Sequence, residues 1–349
     1  MIKTMTELCV SSTVDTPRSS LISLTSRKAP GGRSKKGHKA SRRSWRVGRS
    51  SGGGDAPPAD DDADAKRIVG ACPWLSNVPY IAAGSDLDRV ADVVSRHYRG
   101  EFCWAASFEP RLVAALMARG FLTMAQRVGR EGHALLPKMH RQRCALVFPD
   151  LHVSRSARRK AKQFSLSVDT SFDAVVAGIR EQHGDECWFY PPLVEAFRTL
   201  HCQGSAHVKM RTFEVWDKTT GLLVAGELGY ACGDVYTSLS GFSRMASSAG
   251  AVQCAATAKL LARSGYVLWD LGMELPYKTK LGAQLLPRDA FLKRLRQARA
   301  VGALRLYPIN KRECCRLLID CPRVPVVSPP ATDDSASATS ETTASTDTV

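Results

Sequence analysis

GELGYACGDVYTSLSGFSRMASSAG, residues 226–250, is followed by an apolar helical segment and then by WDLGMELPYKTKLGA, residues 269–283. The pattern predicts two paired strands, a turn of small residues that leads into a helix, and a further strand that ends at Asp270. A polar group at a strand end that faces the amides of a helix N-terminus is common in acyl transfer, because those amides can hold an anion. We therefore expect the chemistry of this chain in this region.

Composition restricts the function classes. The chain has 349 residues and a formal net charge of +16, so the length allows two domains and the charge favours an anionic partner such as nucleic acid. No stretch approaches the roughly 18 apolar residues of a membrane span, which predicts a soluble protein without a membrane partner. The eleven cysteines form no CxxC pair, so we predict reduced thiols and no metal site.

Both ends of the chain have compositions that do not support a core. We expect residues 1–66 to be a disordered basic arm followed by an acidic linker, and residues 326–349 to be a disordered tail. The Ser-, Arg- and Lys-rich arm fits a cytoplasmic protein, which we favour. A mitochondrial or plastid transit peptide is the alternative.

The region between these ends is predicted to fold as a small N-terminal domain, 67–147, and a larger domain, 148–325. Sheet, helix and strand in that order indicate an α+β (mixed α/β) fold rather than a doubly wound parallel sheet. Ser85 or Asp86 is a plausible N-cap for the first helix. The predicted helices are 86–99, 110–119, a short basic one within 152–164, 171–182, 192–203 and 249–264, and the strands are 144–148, 164–168, 208–217, 222–232, 234–242 and 266–273.

Several motifs, in this order and spacing, resemble the leucyl/phenylalanyl-tRNA–protein transferase family. They are GSDL (84–87), HYRGEFCW (97–104), FPDLHVSRSARRK (148–160), VDTSFDAVVAGI (168–179), the segment at 187–189, LVEAFRTLHCQGSAH (193–207), GFSR (241–244), Asp270, LGA (281–283) and PRDAFL (287–292). The resemblance implies an acetyltransferase-like (GNAT) C-terminal domain behind a small N-terminal one. It also implies transfer of Leu, Phe or Met from aminoacyl-tRNA to proteins that begin with Lys or Arg, which marks them for degradation, without a metal or diffusible cofactor.

Two departures from the family pattern concern the handling of the acceptor amine. Where bacterial members carry Gly-Glu, this chain has Ser238-Leu239, and where they carry Asp-Cys-Gln it has Asp270-Leu271-Gly272. One carboxylate and one glutamine are therefore absent. We hypothesise that Glu227 and Glu274 supply replacement carboxylates.

The remaining candidates follow from what the substrates require. A carboxylate beside the amine can orient it and help remove its proton, and Asp270 is the main candidate. The 3′ end of tRNA needs cations and aromatic faces. We predict phosphate contacts from the basic helix (Arg155, Arg158, Arg159, Lys160 and Lys162) and substrate contacts from Trp104, Trp188, Tyr236, Phe242, Ser243 and Arg244.

The leading interpretation is an aminoacyltransferase that acts, as a monomer, on charged tRNA and a protein or peptide amine. A second keeps the fold but changes the donor or acceptor, as in an acyl-CoA-dependent or a peptidoglycan-type transferase. A third is a non-catalytic RNA-binding descendant.

Overall fold

The structure, a computed structural model, describes residues 59–130, 132–244, 248–302 and 304–321. The predicted basic arm and polar tail lie outside these residues. Of the predicted acidic linker, only the part from residue 59 onward is described. The described helices are α1 (Ala59–Ala71), α2 (Leu87–Arg96), α3 (Pro110–Met117), α4 (Arg155–Lys160), α5 (Phe172–His183), α6 (Pro191–Cys202), α7 (Ala249–Arg263), α8 (Pro276–Lys280), α9 (Arg288–Val301) and α10 (Cys315–Asp320). The strands are β1 (Leu122–Val128), β2 (Gly132–Lys138), β3 (Gln142–Val147), β4 (Phe164–Val168), β5 (Lys209–Asp217), β6 (Leu223–Cys232), β7 (Val235–Ser243), β8 (Leu268–Asp270), β9 (Gln284–Pro287) and β10 (Glu313–Cys314).

Eight strands form one mixed sheet in the order β10-β4-β5-β6-β7-β8-β3-β9. Neighbouring strands are antiparallel, except for β7 and β8, which are parallel. A parallel pair needs a crossover connection, and α7 supplies it. The predicted mixed α/β class is confirmed, with a sheet larger than the one predicted.

Apolar clusters cover both faces of this sheet. On one face, α5 and α6 pack through residues such as Val175 and Phe197. On the other, α7 buries an almost continuous apolar surface, because Ala and Leu dominate its sequence. A sheet covered on both faces explains why every residue of β6 is buried, Glu227 included.

The N-terminal part contains a separate hairpin, β1–β2, in antiparallel register. Asp86 caps α2 as predicted, because its carboxylate accepts hydrogen bonds from the amides of Asp88 and Arg89. A small cluster that includes Ile68, Leu75 and Trp104 lies beneath the hairpin.

The structure corrects two boundaries. The acidic segment was predicted to be an unfolded linker up to residue 66, but α1 begins at Ala59, and Ile68 anchors its second half in the N-terminal cluster. The strand β3 belongs to the large sheet, where it pairs with β8 and β9, although the sequence assigned its residues to the N-terminal domain. None of the helices in the described ranges has the length and apolar run needed to cross a bilayer.

Candidate active site

The candidate site is a cleft of about 780 Å³ where β7 and β8 diverge. The two strands pair only from Val235 to Thr237 on β7. Beyond this point β7 continues, whereas the segment that follows β8 turns away at Gly272, which has a φ of 73°. A bulge makes Leu239 the extra residue of β7, because Leu228 pairs with Ser240 and Gly229 with Ser238. The cleft is bordered by β6, β7, α7, α8 and the segment that leads into α4.

Glu227 is the one carboxylate that lines the cleft within the described residues. Its residue is 6% exposed, and its two oxygens accept hydrogen bonds from the Ser238 hydroxyl at 2.6 Å and the Gln253 amide at 3.1 Å. The Trp269 indole in turn donates to Ser238 Oγ at 2.7 Å. Burial raises the pKa of Glu227, and these donors oppose that rise only in part. A carboxylate held in this way, with a raised pKa, is suited to accept a proton.

Gly241 lies beside Glu227 in the wall of the cleft. It pairs with Glu227 across the two strands, and a Cβ built at this glycine would lie 3.7 Å from the Glu227 Cβ and 2.9 Å from the Gly226 carbonyl oxygen. A larger residue at this position would therefore have to displace the Gly226 backbone of the neighbouring strand.

Lys278 and Tyr277 form the opposite wall, on α8. The Lys278 ammonium donates to the carbonyl oxygens of Leu271 at 2.5 Å and Met273 at 2.8 Å. Burial lowers the pKa of Lys278, while burial raises that of the Tyr277 phenol. Lys278 thus fixes the turn that follows β8 and gives this wall a positive charge.

Asp270 lies behind the cleft rather than in it. Its side chain is fully buried and forms an ion pair with Arg143 at 2.8 Å, while Thr237 and the Gly272 amide donate to it at 3.2 and 2.9 Å. The direct contact with the amine that the sequence predicts does not fit this position. Asp270 instead holds together β3, β7 and the turn after β8, because a buried guanidinium requires a carboxylate partner.

Glu274 does not reach the cleft either. It is exposed, beyond the Gly272 turn, and does not line the cavity. Of the two replacement carboxylates in the hypothesis, the structure therefore brings only Glu227 to the cleft. Because Glu227 is buried in the cleft and Glu274 is exposed outside it, substitution of Glu274 can serve as the control for substitution of Glu227.

The GFSR motif is divided between the cleft and the surface. Phe242 and Ser243 line the cavity, and the Ser243 amide donates to the Gln182 side chain at 2.7 Å. The Phe242 ring fills space left by two glycines, since a Cβ at Gly178 or Gly226 would lie under 3 Å from it. Arg244 points away, where it pairs with Glu181 at 2.6 Å.

The other aromatic candidates lie outside the cavity. Trp104 is 2% exposed and contacts Tyr80 in the N-terminal cluster, at 4.4 Å between ring centroids. Trp188 packs edge-on against Phe189 at 4.4 Å and is half-buried on the core. Tyr236 is fully buried behind Glu227. Burial, together with the charge of Glu227, raises the pKa of the Tyr236 phenol well above the usual value. These positions suit packing rather than contact with a substrate in the cleft.

The basic helix lies at the rim of the cleft, since His152, Ser154 and Ala157 all line it. Ser154 caps this helix by accepting from the Ala157 amide at 3.1 Å. Arg158 is engaged by Asp320 at 2.8 Å. The exposed cations of the set are Arg155, Arg158, Arg159 and Lys162, and Lys160 is half-buried.

Three site residues escaped the sequence reasoning. Gln253 carried a signal, because it is a polar residue inside the apolar helix α7. Lys278 carried no signal that separates it from Lys280. Ser238 was named only because the pair Ser238-Leu239 stands where family members carry Gly-Glu. Within the described residues, no group of three His, Cys, Asp or Glu side chains is placed to hold a metal ion.

Comparison with known proteins places this cleft inside a shared region. A family model described as leucyl/phenylalanyl-tRNA protein transferase matches residues 145–296, which contain every residue that lines the cleft. A leucyl/phenylalanyl-tRNA–protein transferase from Dinoroseobacter shibae is 32% identical over 56% of this chain and 85% of its own length. A relative of the same name from Rubrobacter xylanophilus is 31% identical over 54% of this chain and 94% of its own length. Another, from Azotobacter vinelandii, is 38% identical over 42% of this chain and 64% of its own length. The predicted family is thus confirmed, and the chain belongs to the leucyl/phenylalanyl-tRNA–protein transferases.

Proposed function

We propose that this protein transfers leucine or phenylalanine from a charged tRNA to the N-terminal amine of a protein, and the name leucyl/phenylalanyl-tRNA–protein transferase that its relatives carry supports this proposal. The observation that carries the proposal is the cleft, which combines a buried carboxylate with a basic rim inside the shared region. Tagging of proteins for degradation is the outcome we propose for this reaction.

The proposed chemistry requires no covalent enzyme intermediate. The amine nitrogen of the acceptor attacks the carbonyl carbon of the ester that joins the amino acid to the tRNA. A C–N bond forms and the C–O bond breaks. The amine gives up one proton, and the departing 3′ oxygen of the tRNA takes one up.

Glu227 is the group we propose to receive the proton of the amine. Its carboxylate faces the cleft, and Ser238 and Gln253 hold it in one orientation. Because the ester is already activated, most of the rate enhancement is expected from positioning and from charge placement. Asp270 and Arg143 contribute indirectly, by fixing the two strands between which the cleft opens.

The basic rim is proposed to hold the phosphates near the 3′ end of the tRNA, through Arg155, Arg159 and Lys162 on and beside α4. These side chains are exposed, and the helix α4 follows directly after Ser154, which lines the cleft. Cations without carboxylate partners bind a polyanion more strongly than cations in ion pairs, so Arg158, engaged by Asp320, is proposed to contribute less.

We propose a GNAT-like architecture for the sheet. The divergent parallel pair β7–β8, the bulge at Leu239 and the helix α7 that follows β7 support this proposal. The small N-terminal part is proposed to act with it as one enzyme.

A transfer assay tests the function. The protein is incubated with labelled leucyl-tRNA and with peptides that begin with Arg, Lys or Ala, and label in the peptide is measured. Label above the protein-free control supports the proposal. Turnover of an acyl-CoA in place of leucyl-tRNA would indicate a transferase with a different donor. Binding of tRNA without transfer to any peptide would indicate an RNA-binding protein without this activity.

A further inference from the structure

A second cavity, of about 580 Å³, lies between α2 and α9 at the end of α3. We call it the arginine groove. Its floor is apolar and includes Ala118, Leu292 and Leu295. Its rim carries five arginines, two aspartates and one histidine: Arg89, Arg96, Arg119, Arg296, Arg299, Asp88, Asp92 and His97.

The positive charges of the groove outnumber the negative ones. Asp88 accepts from Arg119 at 3.0 and 2.6 Å and lies 3.8 Å from Arg299. Asp92 is shared between Arg96 at 3.4 Å and Arg296 at 3.7 Å. Five guanidinium groups and two carboxylates leave an excess of three positive charges when His97 is neutral.

Folding alone gives no reason for this excess. Exposed ion pairs contribute little to stability, while like charges at this spacing repel each other. Arg89 has no ion-pair partner among the described residues, and Arg96 and Arg299 share carboxylates with other arginines. An anion bound in the groove would relieve this repulsion.

The groove lies at the end of the sheet opposite to the cleft. Arg294 of α9 donates to Asp234 at 2.5 Å, and Asp234 directly precedes β7. The β7 residues that line the cleft, Ser238 to Ser243, come later on the same strand. At about 3.3 Å per residue, the start of β7 at Val235 is roughly 10–26 Å from these residues. An extended polyanion is long enough to reach both places.

We propose that the arginine groove binds backbone phosphates of the donor tRNA at a distance from its 3′ end. The inference rests on the proposed function, which makes tRNA the ligand that reaches the cleft. Arginine suits this task, because its planar fork contacts phosphate oxygens with two hydrogen bonds. Such contacts fix the position of a nucleic acid without reading its sequence.

The test compares two variants of equal net charge. The groove variant carries Arg89→Gln, Arg96→Gln and Arg296→Gln. The control carries Arg111→Gln, Arg127→Gln and Arg130→Gln, three exposed arginines outside the groove and the cleft. The Kd for full-length tRNA is measured between 50 and 200 mM salt, with thermal melting as a check on folding.

We expect the groove variant to bind tRNA at least about tenfold more weakly than wild type at low salt, with the slope of log K against log salt reduced by about 2. The control variant should keep a slope near that of wild type. A donor mimic limited to the 3′-terminal aminoacyl-adenosine should bind all three proteins equally, because it does not reach the groove.

Equal tRNA affinity and slope in the groove and control variants would overturn the inference. Weaker binding of the aminoacyl-adenosine to the groove variant would do so too, since it would show damage to the cleft. A wild type that binds tRNA through the groove but transfers nothing would instead contradict the proposed function.

Discussion

At the scale of single residues, the two buried carboxylates of the site differ in their hydrogen-bond and ion-pair partners. Glu227 and Asp270 are both buried, yet only Asp270 has an arginine partner. Glu227 has neutral donors, so its ionised form is less stabilised, and burial raises its pKa. This difference supports the proposed division of roles, in which Glu227 accepts a proton and Asp270 holds the structure.

Replacement of Glu227 by Gln should lower kcat for aminoacyl transfer by about 10²-fold or more, the usual effect of removing a general base. The amide matches the carboxylate in shape, and it can still accept from Gln253 and donate to Ser238. The KM for tRNA should therefore stay within about twofold. Initial rates at saturating peptide measure this effect, and Glu274→Gln, which changes an exposed acid outside the cleft, should keep the wild-type rate.

The same variant tests the pH dependence. A raised pKa means that Glu227 becomes protonated at a higher pH than the usual glutamate value of about 4.3. The wild-type rate should fall as the pH drops through this raised value, in addition to any loss from protonation of the acceptor amine. The residual rate of Glu227→Gln should fall at low pH only because the acceptor amine becomes protonated. If the rates of both proteins fell in the same way at low pH, Glu227 would have no part in the mechanism.

Asp270→Asn should act on stability more than on chemistry. The substitution leaves the buried Arg143 without its carboxylate, which costs about 3–5 kcal/mol and lowers Tm by on the order of 10 °C. Asp320→Asn, which weakens the exposed ion pairs of Asp320 with Arg158 and Arg316, is the control and should change Tm by only about 1–2 °C. A folded Asp270→Asn protein with unchanged Tm and lost kcat would return Asp270 to the catalytic role predicted from sequence.

At the scale of elements, the basic helix α4 and the cleft are coupled by the chain itself. Ser154 caps the helix and also lines the cleft, so α4 begins at the border of the cleft. The helix has only six residues, and its packing on α7 and α10, not its own propensity, keeps it in place.

Neutralising Arg155, Arg159 and Lys162 to Gln should raise the KM for aminoacyl-tRNA about tenfold or more at low salt and flatten its salt dependence. The kcat at saturating tRNA should change little, because the proton-transfer group is untouched. Steady-state kinetics at several salt concentrations measure both. The variant Arg111→Gln/Arg127→Gln/Arg130→Gln has the same net charge, and equal effects in the two variants would mean that bulk charge alone is responsible.

The elements that the sequence predicted well are those with a clear period. The alternation in β5–β7 and the apolar run of α7 are decided by burial, so their positions followed from the residues. The strand predicted over 266–273 is shorter, because Gly272 turns the chain with a positive φ directly after Asp270. The short elements α8, β9 and β10 depend on tertiary contacts and left no local pattern.

The site was harder to predict than the fold for a similar reason. Glu227 and Asp270 both stand in apolar strands, and only their partners, which are distant in sequence, show which one faces the cleft. Arg143 lies 127 positions from Asp270, and no local motif links the two. The resemblance placed Trp104 near the substrate, whereas the hairpin β1–β2 covers it in a separate cluster.

At the scale of the whole molecule, two arginines join the N-terminal part to the large sheet. Arg143 donates to the Gly120 carbonyl at 2.5 Å while it holds Asp270. Arg288, the first residue of α9, donates to the carbonyl oxygens of Val94, Met139 and His140 at 2.7–3.0 Å. The cleft and the arginine groove are therefore parts of one connected framework.

Arg288→Lys should lower the free energy of unfolding by about 1–3 kcal/mol, because a single ammonium cannot replace a fork that satisfies several buried carbonyls. Thermal or urea unfolding measures the change. Lys293→Gln, an exposed site on the same helix, should stay within about 0.5 kcal/mol of wild type. Equal stability of Arg288→Lys and wild type would show that the clamp does not hold the two parts together.

The most direct measurement is transfer of label from leucyl-tRNA to N-terminal peptides by wild type and by Glu227→Gln, side by side at neutral pH. We predict that wild type labels peptide and that the variant, folded and with tRNA affinity intact, retains about 1% of the rate or less. A wild type that transfers nothing to any peptide, or a Glu227→Gln protein as active as wild type, would contradict a transferase that uses Glu227 to accept the proton of the amine.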